Sequence, residues 1–306
     1  MRVHILGTGT PTPSADRFGS AFVAEVGDQK IMVDCGPAAT HKLVKAGMWP
    51  TDISNLFFTH HHFDHNIDYP CFLLCRWDQS IGNEEKLRVY GPALTRDITE
   101  GLIGPSGVFA PDWKARVGHP ASQQVFVNRG GTLPRKPPEV AAEDIDPGHV
   151  VEGDGWQMRS TFADHVQPYL DSLAYRLDTD QGSVVFTGDT EPCDSVVELA
   201  QGADVMLAMC WDDQEFMESH GEVNGASGTT GAAHMATRAG ISKLVLVHSQ
   251  PRLSEEGARR KALMDVGEIY SGDVTLATEL SVVEVTSRDN TGATTEVRSG
   301  DSPRNP

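Results

Sequence analysis

The sequence predicts an α/β protein of two β-sheets with helices outside them. Three observations carry this expectation. Hairpin-type β runs come first and alternating strand and helix runs follow, the order that two helix-covered sheets require. The strand-like runs repeatedly end in polar residues, as strands do when they deliver side chains to one edge of a sheet. The 306 residues, 39% hydrophobic and 22% charged, form an ordinary globular composition with room for a sizeable core.

Taken in order, RVHILGTGT is a strand running into a Gly-rich turn. Ala21 to Val26 and Lys30 to Asp34 form a hairpin about Gly27-Asp28. PAATHKLVKAGM has helical spacing and stops at Gly47. ISNLFF (Ile53 to Phe58) is a buried strand, DYPCFLLCRW a helix, KLRVYGP a strand and ALTRDITEGLIG a helix. Residues 105–148 are rich in Pro and Gly and less legible. They are expected to be an insertion or lid shaping one side of a pocket; packing elsewhere, against a second subunit for example, is the alternative. WQMRSTFADH, LAYRLDT and SVVFTGDT are strands with polar ends. DSVVELAQGA is a helix, DVMLAMCW a strand, TTGAAHMATRAG a helix, KLVLVHS a strand and SEEGARRKALMDVGEIY a helix. DVTLATELSVVEV closes the domain as one strand, which gives a domain over 1–285 and a loose polar tail over 286–306.

The formal net charge is −18, and the densest basic run is only Arg259-Arg260-Lys261, so a nucleic-acid footprint is not expected. The N-terminus has no signal-peptide pattern and no run reaches the length of a membrane span, so a cytoplasmic location is expected. The five cysteines are scattered, with only Cys71 and Cys75 at helical spacing, and suggest neither a disulfide framework nor a Cys-rich metal site.

The densest chemical signal is THHHFDHNID, residues 59–68. Within it His60, His62, Asp64 and His65 form His-x-His-x-Asp-His directly after a buried strand. Neutral imidazole and carboxylate are the common ligands of zinc. His165, Asp189 and His248 each end another strand-like run and complete a set of seven. Alone, each would be an ordinary cap or turn residue.

With HILGTGTP, MVDCG, HHHFDH, YGP, TGDT and LVLVHS in this order, the chain resembles the metallo-β-lactamase superfamily, in its ribonuclease-Z-like and phosphodiesterase-like branch, over residues 1 to about 285. The resemblance implies a four-layer αββα sandwich of two mixed sheets with a metal site at one edge. It implies that His60, His62 and His165 hold one zinc ion, that Asp64, His65 and His248 hold a second, and that Asp189 bridges both. Asp34 would orient ligand imidazoles. The chemistry implied is hydrolysis by a metal-bridging hydroxide, with Asp64 and Asp189 as the catalytic carboxylates. Zinc is favoured because iron-binding members often carry Glu where His62 stands; Mn2+ and Fe2+ remain open.

The bridging carboxylate separates the chain from typical β-lactamases of the superfamily. Ribonuclease Z carries a tRNA-gripping arm between the matches of His165 and Asp189, which here are only 24 positions apart. It also carries a His where Gly228 stands; His220 is a weak substitute. A small-molecule substrate is therefore expected, bearing a phosphodiester, sulfate ester, carboxylic ester or lactone. The alternatives are an RNA 3′-processing endonuclease, a hydrolytic dehalogenase of an activated aryl halide, and a metal-stabilised binding protein. Trp211, Phe63, Tyr169 and His220 are candidates for the substrate pocket. A membrane partner is not expected, and a homodimer is left open.

Overall fold

The computed structural model describes residues 1–81 and 86–288. Each half of the chain opens on antiparallel strands and then turns parallel. The first half runs β1 (Arg2–Thr8), β2 (Ser20–Val26), β3 (Gln29–Val33), α1 (Ala39–Lys45), β4 (Ile53–Phe57), α2 (Phe63–Asn66), α3 (Tyr69–Gln79), β5 (Leu87–Gly91), α4 (Thr95–Ile103), α5 (Ala110–Gly118), α6 (Pro120–Asn128) and β6 (Val140–Asp144). The second runs β7 (Val150–Gly153), β8 (Trp156–Phe162), β9 (Leu173–Thr179), β10 (Gly182–Phe186), α7 (Asp194–Ala200), β11 (Val205–Met209), α8 (Gln214–His220), α9 (Thr229–Ala239), β12 (Lys243–Val247), α10 (Glu256–Gly267), β13 (Asp273–Leu276) and β14 (Ser281–Glu284).

The strands form two seven-stranded sheets, ordered β14-β1-β2-β3-β4-β5-β6 and β13-β12-β11-β10-β9-β8-β7. Pairing is parallel from β3 to β6 and from β10 to β13, and antiparallel elsewhere. Side-chain alternation explains the layers. Along β10, Val184 and Phe186 face the space between the sheets, while Val185 faces the helices. Along β12, Val245 and Val247 face inward and Leu244 and Leu246 outward. The outer face of the second sheet packs on α7, α9 and α10, and that of the first on α1, α3 and α4. The result is the expected αββα sandwich. Among the described residues no helix is long and apolar enough to cross a membrane.

Three expectations need correction. Residues 105–148 carry α5, α6 and β6 rather than irregular chain. Pro111 and Pro120 sit in the first turns of α5 and α6, where a missing N–H costs nothing, so here proline starts helices instead of breaking them. The segment docks on α3: Trp77 Nε1 donates to the Lys136 carbonyl at 3.0 Å, and Asp78 accepts from Arg135 at 2.9 Å and Arg129 at 3.0 Å. The closing run is two strands, not one. β13 pairs parallel with β12, and after Ala277–Leu280 the chain changes sheet so that β14 pairs antiparallel with β1. Strand β7 and helix α8 were not anticipated either. Of the expected tail over 286–306, residues 289–306 lie outside the described residues. Its first residues are tied down, with Ser287 N–H donating to the Gln181 carbonyl and Arg288 N–H to Asp204 Oδ1.

Candidate metal centre

Six strands bring their carboxyl ends to one edge, the place where open α/β sheets bind ligands. Asp34 follows β3, His60 to His65 follow β4, His165 follows β8, Asp189 follows β10, Trp211 follows β11 and His248 follows β12. The Gly7–Pro11 turn joins them, because Thr8 O accepts the Ser249 N–H at 2.9 Å. The chain leaving β4 is extended, so His60 and His62 point to the cluster while His61 turns away to Thr95 Oγ1 at 2.8 Å.

All seven expected metal-site side chains meet, in two three-residue groups and a shared carboxylate. His60, His62 and His165 form one group and Asp64, His65 and His248 another; Asp189 joins His60 and His65 in a third. His62 Nδ1 lies 3.0 Å from His60 Nε2 and 3.2 Å from His165 Nε2. Asp64 Oδ2 lies 3.1 Å from His248 Nε2 and 3.6 Å from His65 Nε2. Asp189 Oδ2 lies 3.2 Å from His248 Nε2 and 3.9 Å from the Nε2 atoms of His60 and His165, and Oδ1 lies 3.4 Å from His65 Nε2. Tetrahedral zinc with bonds of about 2.0–2.1 Å sets its ligand atoms roughly 3.3 Å apart, so the donor spacing suits a small divalent cation.

Tautomers agree with that fit. His65 Nδ1–H donates to Asp34 Oδ2 at 2.8 Å, and His165 Nδ1–H donates to the Gly225 carbonyl at 2.5 Å. A carboxylate and a carbonyl only accept, so the Nδ1 atom of each ring carries a proton, and the neutral form of each ring turns its Nε2 lone pair inward. Asp34 is itself held by the Thr59 N–H at 2.7 Å and the Thr59 hydroxyl at 2.9 Å. His65 Nε2, Asp64 Oδ1 and Asp189 Oδ1 are buried without a hydrogen-bond partner among the described residues. Converging lone pairs and orphaned carboxylate oxygens are costly unless a cation lies between them.

The electrostatics have the same cause. Burial disfavours charge on Asp189, yet the facing His248 and His65 hold its pKa well below the usual carboxylate range. Burial also opposes charge on His65, but Asp189 and Asp34 hold that imidazole well above its ordinary value. His60 is pushed well below, by burial and then by His65, and so presents a neutral ring. The cluster calls for positive charge between its imidazoles and carboxylates.

Beside it lies a pocket of about 260 Å3, lined by Pro11, His62, His165, Asp189, Met209, Trp211, Glu222, Asn224, Gly225 and Ala226. Trp211 lines it, its ring near-parallel to His248 at 5.9 Å. The other pocket candidates are not among the lining residues. Phe63 and Tyr169 are 49% and 88% exposed. His220 ends α8, exposed, with Nδ1–H on the Phe216 carbonyl. No residue of 105–148 is among the lining of this pocket; the segment packs on α3, where Phe126, Arg135 and Lys136 line a separate cleft with Leu73 and Trp77. The wall comes from residues 222–226, which sequence reading passed over. Its one signal was the Gly-rich GEVNGASG before a helix start.

The profile described as Beta-lactamase superfamily domain matches residues 29–249. The chain is similar to Ribonuclease Z of Mycobacterium bovis (strain BCG / Pasteur 1173P2), 28% identical over 300 residues that cover 93% of this chain and 98% of that one. Among solved structures it is similar to the metallo-beta-lactamase fold protein YhfI from Bacillus subtilis, at TM-score 0.69 and 19% identity, covering 92% of this chain and 98% of that one. It is also similar to human tRNase Z, short form, at TM-score 0.65 and 20% identity, covering 93% and 99%.

Proposed function

The chain belongs to the β-lactamase superfamily and is a metal-dependent hydrolase of its ribonuclease-Z-like branch, and from that premise we propose that it hydrolyses phosphodiesters at a two-zinc centre, with RNA as the leading substrate class. The observation that carries the dinuclear reading is the pair of three-residue donor groups sharing Asp189. The RNA reading rests on the end-to-end similarity to a protein named Ribonuclease Z. This reverses the ranking that sequence alone suggests. An alignment of 300 residues covering 93% of this chain leaves little room for an extra arm in that relative, so the short His165–Asp189 connection does not set the two apart. A small-molecule ester is the second reading, favoured by the net charge of −18 and the modest pocket.

In this proposal His60, His62 and His165 hold one ion, Asp64, His65 and His248 the other, and Asp189 both. The ions, when bound, supply Lewis acidity and neutralise charge at the attacked phosphorus. Asp64 Oδ1, buried and without a hydrogen-bond partner among the described residues, would accept a hydrogen bond from the attacking water. Met209, Trp211 and Ala226 give the adjoining pocket an apolar lining.

Metal analysis is expected to find close to two zinc ions per chain. One tightly held ion, with Asp64→Ala and His248→Ala fully active, would count against two. Asp34→Ala should weaken metal binding by about 10–100-fold, because the ring of His65 loses the acceptor that sets its tautomer. Competition with a metal-sensitive chelator dye measures this. For the substrate, RNA with a 3′ extension, bis-p-nitrophenyl phosphate, an aryl sulfate, an aryl ester and a lactone should be compared. Turnover of both phosphodiesters, with RNA cleavage weakening as salt rises, is expected. Turnover of bis-p-nitrophenyl phosphate without RNA cleavage selects the small-molecule reading. Turnover of only the sulfate, ester or lactone rejects phosphodiester chemistry.

A further inference from the structure

We infer that the pocket beside the cluster is a ring-binding subsite: it holds a flat aromatic group that the substrate carries next to its scissile bond. This rests on the hydrolase reading above and adds the shape of the substrate.

Trp211 is fixed at every point needed for a stacking platform. Its N–H donates to the Ser227 carbonyl at 2.8 Å, and its own carbonyl accepts the Gln250 N–H at 2.9 Å. Its indole Nε1–H donates to Glu222 Oε2 at 2.7 Å. The ring also packs near-parallel to His248, at 24°. An indole with its N–H satisfied and its plane set loses little entropy when a ligand ring lies against it. Met209, Ala226 and Pro11 complete apolar walls, while His62, His165 and Asp189 form the side toward the cluster. Asn224 stands at the exposed rim with no hydrogen-bond partner among the described residues. Its amide offers both a donor and an acceptor to the edge of a heteroaromatic ring.

The wall is tied to the metal cluster through Gly225. Its carbonyl accepts from His165 Nδ1, and its N–H donates to Glu191 Oε2 at 3.0 Å. Its φ of +71° and the 2.3 Å that would separate a Cβ from the His165 carbonyl oxygen leave room only for glycine. A ring seated on Trp211 therefore lies at a set position relative to His165, in a pocket whose other side is formed by His62, His165 and Asp189. A nucleobase and a synthetic aryl group share this chemistry.

The test is equilibrium binding to the zinc-loaded protein, which needs no turnover and so stands apart from the hydrolytic proposal. A nucleoside 5′-monophosphate is compared with ribose 5-phosphate, and phenyl phosphate with methyl phosphate. The ring-bearing member of at least one pair should bind about 10-fold more tightly or better, the scale of base–aromatic stacking. Preference in the first pair alone marks a nucleobase; preference in the second marks an aryl group. Trp211→Ala should bring the ratio close to one while zinc content stays unchanged. Ala226→Leu, which fills the pocket from another wall, should penalise only the ring-bearing ligands. Glu222→Ala should reduce the ratio and Glu222→Gln restore it, since Gln still accepts from the indole. Equal binding within both pairs, or ratios that Trp211→Ala and Ala226→Leu leave intact, would overturn the inference.

Discussion

Asp189→Ala is expected to release most of the bound metal and to lower kcat/KM by at least about 100-fold, since even partners that only orient a metal ligand cost 10–100-fold. Among the described residues, Asp189 is the one carboxylate within 4 Å of imidazoles from both three-residue groups. Its two oxygens lie between 3.2 and 3.9 Å from the Nε2 atoms of four imidazoles, those of His60, His65, His165 and His248. Removing it takes an anion from a buried cluster that then consists mainly of imidazoles. Two adjacent cations would repel each other more strongly without it. Asp189→Asn keeps the volume and one oxygen but no charge, so it should retain more metal than Asp189→Ala and still lose most activity. Both effects are read by elemental analysis after dialysis and by initial rates on bis-p-nitrophenyl phosphate. A Asp189→Ala protein that keeps two ions and works within tenfold of the parent would remove the shared carboxylate from the proposal.

The site was legible in sequence wherever a strand meets it. Runs such as SVVF, VMLAM and KLVLV are buried almost throughout, and their apolar character ends at Thr187, Asp212 and His248, where the chain reaches the edge. Four of the seven donor residues also lie within His60 to His65, where local spacing alone reveals them. What was hidden has physical reasons as well. Pro111 and Pro120 act as helix starters, which composition cannot tell from helix breakers. β13 and β14 form one apolar run because a change of sheet leaves the pattern of hydrophobic residues uninterrupted. Helix α8 did carry a signal, the Asp213 cap that accepts the Phe216 N–H at 3.0 Å, set among acidic residues that look like loop. Gly225 contributes backbone atoms only, so no side-chain pattern could announce it. Phe63 and Tyr169 were candidates only as aromatic residues, and aromatic character alone does not set the direction a side chain takes; both are exposed and outside the lining of the pocket beside the cluster.

Phe57→Ala is expected to destabilise the fold by about 3–5 kcal/mol, the usual cost of deleting a buried ring. Phe57 is fully buried between the sheets at the end of β4. Its ring stacks on Tyr90 of the same sheet at 4.9 Å and meets Tyr175 and Trp156 of the other edge-on, at 5.4 and 6.3 Å. The same junction carries a hydrogen bond from the Tyr175 hydroxyl to the Phe58 carbonyl at 2.8 Å, joining the two sheets directly. A cavity here therefore opens the seam between the layers, two residues from the Thr59 that holds Asp34. Phe57→Leu fills much of the space but gives up the ring pairs, each worth about 0.5–1.5 kcal/mol beyond burial, and should fall between Phe57→Ala and the parent. Urea titration of zinc-loaded protein measures both, and repeating it after chelation separates core packing from metal binding. If packing dominates, the difference between Phe57→Ala and parent persists without zinc. A difference that vanishes on chelation would mean that Phe57 acts chiefly by holding the metal edge in shape.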